Sequence, residues 1–323
     1  MSTPSIKTLR LRATLFARVR EFFALRNVLE VDTPILGHGL VVESHLEPIP
    51  CRVRTGPGGD SLDRYLLTSP EGPMKRLLAA GSGAIYQIAH AFRDGEVGRK
   101  HSPEFTILEW YRPGFDHHDL MDEVAALVGA LVPALGGTAF EKRTYREVFV
   151  EGVGIDPFAT ELSEISQACE RLGVPLPADF NDWTLDDALD LLLVGHLEPT
   201  LGARAPLFVH DYPRTQAALA QIRPDGEDGR EVGERFELYI RGVELANGYH
   251  ELADPAEQRR RFDLANRVRE ETGRSPLPID LALIDSLGND FPPCAGVALG
   301  LDRLIMVAEG TDDIADVRPF LFE

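Results

Sequence analysis

The sequence is poor in cysteine and in positive charge, and it lacks any long apolar run. Its three cysteines, Cys51, Cys169 and Cys294, are far apart and form no CxxC pair. Neither a disulfide framework nor a zinc site is therefore expected, and the chain reads as cytoplasmic, from a reducing compartment. Lys plus Arg number 33 against 52 Asp plus Glu, a formal charge of −19. Surfaces that hold nucleic acid need clustered Lys and Arg, so this balance argues against that task. No stretch approaches the roughly 18 apolar residues of a membrane span. The opening MSTPSIKTLRLRATLFARVREFF has scattered charges and no small-residue cleavage pattern, so it does not read as a signal peptide. GxGxxG and GxxxxGK are both missing, which excludes the Rossmann and P-loop readings. His250–Glu251 opens like HExxH, but no second histidine follows. There is no internal repeat, and the only loose patches, GPGG at 56–59 and GG at 136–137, are short connections.

What is there suits a globular protein. Hydrophobic residues make up 44% and charged residues 26% of 323 residues, enough apolar material for a sizeable core. The length fits two domains or one large domain with an insertion. Leu11, Leu15, Val19 and Phe22 recur at helical spacing over about 5–26. In VLEVDTP, Leu29 and Val31 alternate with Glu30 and Asp32, a half-buried strand ending at Pro34. Further strands are expected over 40–68. TSPEGPMKRLLAAG reads as a helix with Ser69 as N-cap, Pro70 in the first position and Gly81 after the end. Strands follow at about 84–93 and 104–111, joined by the polar DGEVGRKHSP. Residues 118–200 read as a mostly helical insertion in a single catalytic domain, 1–323. PLFVHDYP returns to strand, and Asp254, Pro255, Glu257 and Gly273 mark a helix. The chain closes on a strand, AGVAL, and a helix over 301–309.

Three constellations stand out. In the hairpin RFELYIRGVELANGY, a two-residue turn at Arg241–Gly242 sets Ile240 opposite Val243, Tyr239 opposite Glu244 and Leu238 opposite Leu245. Glu237, Tyr239 and Glu244 then share one face. Two diagonal carboxylates repel unless a cation sits between them, and a hard ion such as Mg²⁺ holding phosphate oxygens would explain the pair. A solvated outer face is the plainer alternative. Glu251 has the opposite parity and joins that face only if Asn247–Gly248 forms a bulge. In the strand pair at 84–111, Phe105, Ile107, Glu109 and Tyr111 point one way, across from Gln87, Ala89, Ala91 and Arg93. The small alanines leave room for a ligand. Arg93 can grip a phosphate bidentately and Phe105 offers a ring to a purine, unless these side chains simply serve an ion pair and the core. Glu109 and Tyr111 offer a cation site further along the same face. In GVALGLDRLIM, Gly296 and Gly300 permit close approach to the backbone. Arg303 sits in the first turn of a helix, where the dipole disfavours a positive charge. A polyphosphate would compensate, as would a salt bridge to Asp302 or Glu309.

The order of these motifs resembles the class II aminoacyl-tRNA synthetases. VLEVDTPIL is similar to motif 1, FRDGEVGRKHSPEFTILEWY to motif 2 and GVALGLDRLIM to motif 3. TSPE, ELANGYHEL and EFTILEWY are close to the wording of lysyl-tRNA synthetases. With motif 1 beginning by about residue 28, an anticodon-binding OB-fold is not expected. The resemblance is accordingly to the truncated paralog family, the elongation factor P–lysine ligases. It implies activation of lysine, preferably (R)-β-lysine, with ATP and Mg²⁺, and transfer to a lysine side chain of elongation factor P. The implied fold is α+β, a six-stranded antiparallel sheet flanked by helices, in a homodimer with Pro34 at the interface.

Residue by residue, the resemblance implies that Arg93 holds the α-phosphate, Phe105 stacks on adenine and Arg303 binds the γ-phosphate. Asp94, Gly95 and Ser102 line the nucleotide, Glu237 and Glu244 hold Mg²⁺, and Leu245 and Gly300 wall the nucleotide site. Glu71, Glu109, Tyr111, Asn247 and Glu251 cradle the substrate amines, with Ser69 and Pro70 positioning Glu71. The chain departs from its relatives in reading Arg93, Asp94, Gly95 where many have Arg-Asn-Glu, and Ser102 for a usual Asn. Ala298 stands where lysyl-tRNA synthetases have Gly, and is expected to help select the substrate. Three rival functions are a tRNA-charging lysyl synthetase, an asparagine synthetase of this class and a non-catalytic sensor. The missing OB-fold and acidity disfavour the first, the carboxylate-rich pocket the second, and the presence of Arg93, Glu237, Glu244 and Arg303 the third.

Overall fold

A computed structural model describes residues 4–226 and 229–321. The chain begins with α1 (Ile6–Ala24), β1 (Leu29–Glu30), β2 (Leu36–Gly37), β3 (Ile49–Arg54), β4 (Ser61–Leu66), α2 (Glu71–Ala79), β5 (Ile85–Phe92) and β6 (Glu104–Pro113). Next come α3 (His117–Leu131), β7 (Glu141–Thr144), α4 (Tyr145–Val153), α5 (Leu162–Leu172), α6 (Leu185–Leu192), β8 (Leu207–Pro213), β9 (Ile222–Asp225), β10 (Arg230–Ile240) and β11 (Val243–His250). The last elements are α7 (Pro255–Glu271), α8 (Leu281–Ser286), β12 (Cys294–Gly300) and α9 (Leu301–Glu309). These elements form two compact units. The first runs to Phe115 and resumes at Leu252; the second is Asp116–Glu251.

In the first unit the strands run in the order β1-β5-β6-β12, and β2-β4-β3 make a separate small sheet. Leu15, Val19 and Phe22 of α1 are buried, as their spacing requires. Phe23 beside them stacks on Tyr86 at 4.4 Å and meets Trp110 edge-on at 5.4 Å, so α1 backs β5 and β6 with aromatic surface. Helix α7 starts at the expected cap, Asp254 accepting from the amides of Ala256 and Glu257. Its Arg269 is fully buried and donates to the carbonyls of Ser275 and Leu46 and to the Glu47 carboxylate, tying the helix to the 43–47 segment.

In the second unit the order is β11-β10-β8-β7, with β9 against β10. Capping boxes at Thr144/Glu147 and Thr184/Asp187 start α4 and α6. Their apolar faces, with Ile165 of α5, close a core of Tyr145, Phe149, Leu189 and Leu192 against Val209, Tyr212 and Tyr239 of the strands.

Several expectations need correction. The chain is α+β, but the sheet is neither six-stranded nor wholly antiparallel: β1 pairs β5 and β7 pairs β8 in parallel. Alternation of side chains marks a strand without marking its direction. Parallel pairing depends on long crossovers that a local pattern does not carry. The strand at Leu29 is only two residues long and Leu29 is exposed; Val28 is the buried residue there. Helix α2 begins at Glu71 with Pro70 as its N-cap, so Ser69 lies one position further out, although its Oγ still accepts from the Glu71 amide at 3.3 Å.

The hairpin turns at Arg241–Gly242, both with positive φ (53° and 68°), as a two-residue turn between twisted strands requires. Ile240 opposes Val243 and Tyr239 opposes Glu244, but Leu238 then opposes Ala246, not Leu245. The bulge therefore falls at Leu245 rather than at Asn247–Gly248. Its effect is the one anticipated for the later position. Beyond it Glu237 opposes Asn247 and Arg235 opposes Tyr249, so parity carries Glu251 onto the Glu237 face.

Candidate active site

The residues singled out from the sequence fall into two sets, one on each unit. On the first unit the pairing Ile85–Tyr111, Gln87–Glu109, Ala89–Ile107 and Ala91–Phe105 matches the expected face. The other neighbour of β6 completes it: Gly296 opposes Tyr111, Ala298 opposes Glu109 and Gly300 opposes Ile107. A central strand of large functional side chains is thus flanked by glycines and alanines, which leaves a trough over β6. Ala89, Ala91 and Ile107 form its floor, with Phe105 and Ala298 packed against them.

Arg93 stands at one end of this trough. Its guanidinium lies 5.0 Å from the centre of the Phe105 ring, and its Nε is buried with no hydrogen-bond partner among the described residues. Its ion pair with Glu96 is long at 3.4 Å. An orphaned buried donor on a cation fits an anionic ligand. The loop that follows is held by its backbone: Arg93 N donates to Pro103 O at 2.9 Å and Asp94 N to Glu47 O at 2.7 Å. Buried Arg269 fixes that same Glu47. Gly95 has φ +76°, a conformation that explains why glycine stands there. Asp94 and Gly95 are exposed and Ser102 is buried.

Arg303 lies in the first turn of α9, next to Asp302. That carboxylate is taken by Arg12, Arg318 and the Thr106 amide. Arg303 reaches the motif 2 loop, with Nη2 at 2.7 Å from His101 Nε2 and Nε directed at Lys100 O. Burial, and then the charge of Arg303, holds His101 below the usual histidine range, so the imidazole is neutral and accepts.

At the other end of the trough Glu109 is 2% exposed and accepts from the Tyr111 hydroxyl at 2.7 Å. Glu71 and Pro70 are buried at the start of α2, and Glu71 is met by Lys75 at 2.5 Å, a lysine itself only 1% exposed. Lys75 was not anticipated. It follows Glu71 by four residues, the spacing at which helical side chains meet.

The second unit carries Glu237, Glu244, Leu245, Asn247 and Glu251. Glu237 is the most densely held of them. Its Oε1 accepts from Arg235 at 2.5 Å; its Oε2 accepts from Tyr212 at 2.7 Å and Tyr239 at 2.5 Å. Arg235 also bonds Asn247 Oδ1 at 3.2 Å and lies over the Tyr212 ring. The cation beside Glu237 is therefore a protein side chain. Burial and the Glu237 charge push both tyrosines well above their usual range, so both remain donors. Glu244 is half-buried, Leu245 and Glu251 are buried, and Gln221 Nε2 donates to the Glu251 carbonyl at 3.0 Å. A carboxylate has about four lone-pair sites, so the hard oxygen donors of Glu237 and Glu244 on one face still fit Mg²⁺.

A family model described as tRNA synthetases class II (D, K and N) matches residues 2–322. The chain belongs to that family. Among curated proteins, it is 50% identical over 325 residues to one from Vibrio cholerae serotype O1, covering 100% of this chain and 97% of the relative. It is 49% identical to one from Vibrio atlanticus, covering 98% and 96% of the two chains, and 46% identical to one from Yersinia enterocolitica, covering 98% and 95%. All three bear the name elongation factor P–(R)-β-lysine ligase.

Sequence reasoning about this class II chain missed Arg235, Tyr212 and Arg269. Tyr212 lies on a different strand from Glu237, and Arg269 acts from helix α7, so no local spacing signals either. Arg235 was findable: it has the parity of Glu237 on the same strand.

Proposed function

We propose that the protein activates lysine, preferably (R)-β-lysine, with ATP and transfers it to a lysine side chain of elongation factor P. The trough over β6 carries this reading. It has an anion-seeking end at Arg93 and Phe105 and a cation-seeking end at Glu109 and Tyr111. From residue 105 to residue 111 a strand rises about 20 Å, a span suited to a ligand with a phosphate at one end and an amine at the other. The names of the full-length relatives support the choice of acceptor.

In the first step a carboxylate oxygen of the amino acid attacks the α-phosphorus. The bond from that phosphorus to the bridging oxygen breaks and pyrophosphate leaves. No side chain acts as nucleophile. Arg93 orients the α-phosphate and offsets charge there, and Arg303 does so at the γ-phosphate. Glu237 and Glu244 would hold Mg²⁺, whose charge offsets that of the polyphosphate when it is bound. Asp94, Gly95, Ser102, Leu245 and Gly300 bound the nucleotide. Glu71, Glu109, Tyr111, Asn247 and Glu251 receive the substrate amines, with Ser69 and Pro70 setting Glu71. In the second step the neutral amine of the acceptor lysine attacks the acyl carbonyl. A C–N bond forms, AMP leaves and the amine proton passes to solvent.

The same reading makes the protein a cytoplasmic homodimer with Pro34 at the subunit contact. The exposed Leu29, Ile35 and Leu36 around Pro34 support that contact. Among the described residues no helix is long and apolar enough to cross a membrane.

Incubation with ATP, labelled lysine or (R)-β-lysine, and either elongation factor P or total tRNA tests the acceptor. Label is expected on the protein. Efficient labelling of tRNA with none on elongation factor P would reverse the assignment.

Ala298 opposes Glu109 in the trough and carries the one added methyl of the strand face between Gly296 and Gly300. A methyl against a bound ligand shifts preference by about 1–3 kcal/mol, or roughly 10–200-fold. It crowds an amine on the α-carbon and tolerates one a carbon further along. Pyrophosphate exchange by Ala298→Gly is expected to rise on α-lysine relative to (R)-β-lysine; an unchanged ratio would move selection to Glu71, Tyr111 and Glu251.

A further inference from the structure

Three histidines that no step above uses converge in the second unit. His117 and His118 open helix α3 and His210 lies on strand β8. One ring nitrogen from each falls within 4.8 Å of the others. The ring centres of His117 and His118 are 4.1 Å apart, and those of His118 and His210 are 5.2 Å apart.

Imidazoles gathered this way repel once protonated. The neutral imidazole is the form that binds metal. His117 is 2% exposed, and neither of its ring nitrogens makes a hydrogen bond among the described residues. Its Nε2 lies 3.3 Å from Asp211 Oδ1, out of hydrogen-bond line. Leaving a buried polar group unsatisfied costs about 1–3 kcal/mol, so Nδ1, which meets no partner among the described residues, and Nε2, which meets only the off-line Asp211 carboxylate, leave room for a further partner.

The backbone is bent to make this group. Between Tyr212–Gly233 and His210–Phe236 the β8–β10 pairing slips, so that Glu234 and Arg235 face the single residue Asp211. Asp211 has φ +59°, a left-handed conformation in the middle of a strand, where a non-glycine residue stays only if its surroundings hold it. That turn directs its 5% exposed carboxylate at the histidines, with Oδ2 at 3.0 Å from His210 Nδ1 and 2.7 Å from Arg223. An ionised carboxylate beside imidazoles is the usual companion of histidine-bound metal.

We propose that His117, His118 and His210 bind a divalent transition-metal ion, zinc in particular, with Asp211 orienting the imidazoles or completing the set. Imidazole donors select zinc, copper, nickel or cobalt over magnesium and calcium. Zinc–nitrogen bonds of about 2.0–2.1 Å require donors roughly 3.3 Å apart in a tetrahedral site. Exposed His118 and half-buried His210 have the freedom to close that gap. The ion would clip the start of α3 to β8.

The test uses the full chain without a histidine tag, stripped with chelator and titrated with Zn²⁺ by calorimetry and with Co²⁺ by visible absorption. One equivalent per chain is expected, with the d–d bands of a four-coordinate cobalt site and a rise in Tm on adding zinc. His118→Gln and His210→Gln should each lose that equivalent, and Asp211→Asn should weaken binding about 10–100-fold. His118 is exposed, so His118→Gln decides the matter if the His210 variant misfolds, with far-UV circular dichroism as the check. No binding by the wild type would overturn the proposal, as would equal stoichiometry and affinity in His118→Gln.

Discussion

Replacing Arg93 with alanine is expected to lower ATP–pyrophosphate exchange by about 10²–10³-fold while leaving the fold intact. The magnitude is that of removing one preorganised donor from the site where charge develops. Arg93 presents such a donor, since its Nε is buried without a partner among the described residues and its guanidinium rests over Phe105. The fold should survive because the backbone, not the side chain, anchors this segment, through Arg93 N to Pro103 O and Asp94 N to Glu47 O. Arg93→Lys should recover only part of the loss, because a lysine cannot reproduce the planar two-donor grip. Exchange near the wild-type rate in Arg93→Ala would show that the phosphate charge is met elsewhere.

A second large effect is expected in stability rather than rate. Arg235→Ala strips buried Glu237 of its only ion-pair partner described in the structure, leaving the hydroxyls of Tyr212 and Tyr239 to hold a charge 7% exposed. Breaking one side of a buried pair costs about 3–5 kcal/mol. The low end is expected here, because the two tyrosines remain as donors. Arg235 also bonds the Gln216 carbonyl at 2.7 Å and covers the Tyr212 ring, so some packing goes with the charge. Urea unfolding should register the loss, and Glu237→Gln placed in the Arg235→Ala background should restore part of it by removing the stranded charge. A change below about 1 kcal/mol in the single variant would mean that Glu237 is solvated in the free protein.

The parts of the site that were legible in the sequence are those in which one strand carries the information. Phe105, Ile107, Glu109 and Tyr111 share a face because side chains alternate along any strand, and the observed register with β5 keeps them there. Asp254 and Pro255 mark the start of α7 because a cap needs only its own next three residues. The hairpin was legible at its turn and misread beyond it. Arg241–Gly242 fixes the first two pairs, while the slip at Leu245 has no marker in the local pattern.

By itself, then, the sequence determined which residues are paired within a few positions of one another: the helix starts, the trough-facing set on β6, the turn at Arg241–Gly242 and the order of the three motifs. Tertiary structure decided whatever depends on chain segments far apart. It supplied Arg235 and Tyr212 to Glu237, placed Arg303 on His101, and made β1 and β7 parallel edges. It also drew His117 and His118 to His210 across the bulge at Asp211. The physical reason is the same in each case. Local geometry repeats with the period of the helix or the strand and is written in neighbouring residues, whereas a bulge, a pairing direction or a buried charge's partner is chosen by the packing of the whole unit.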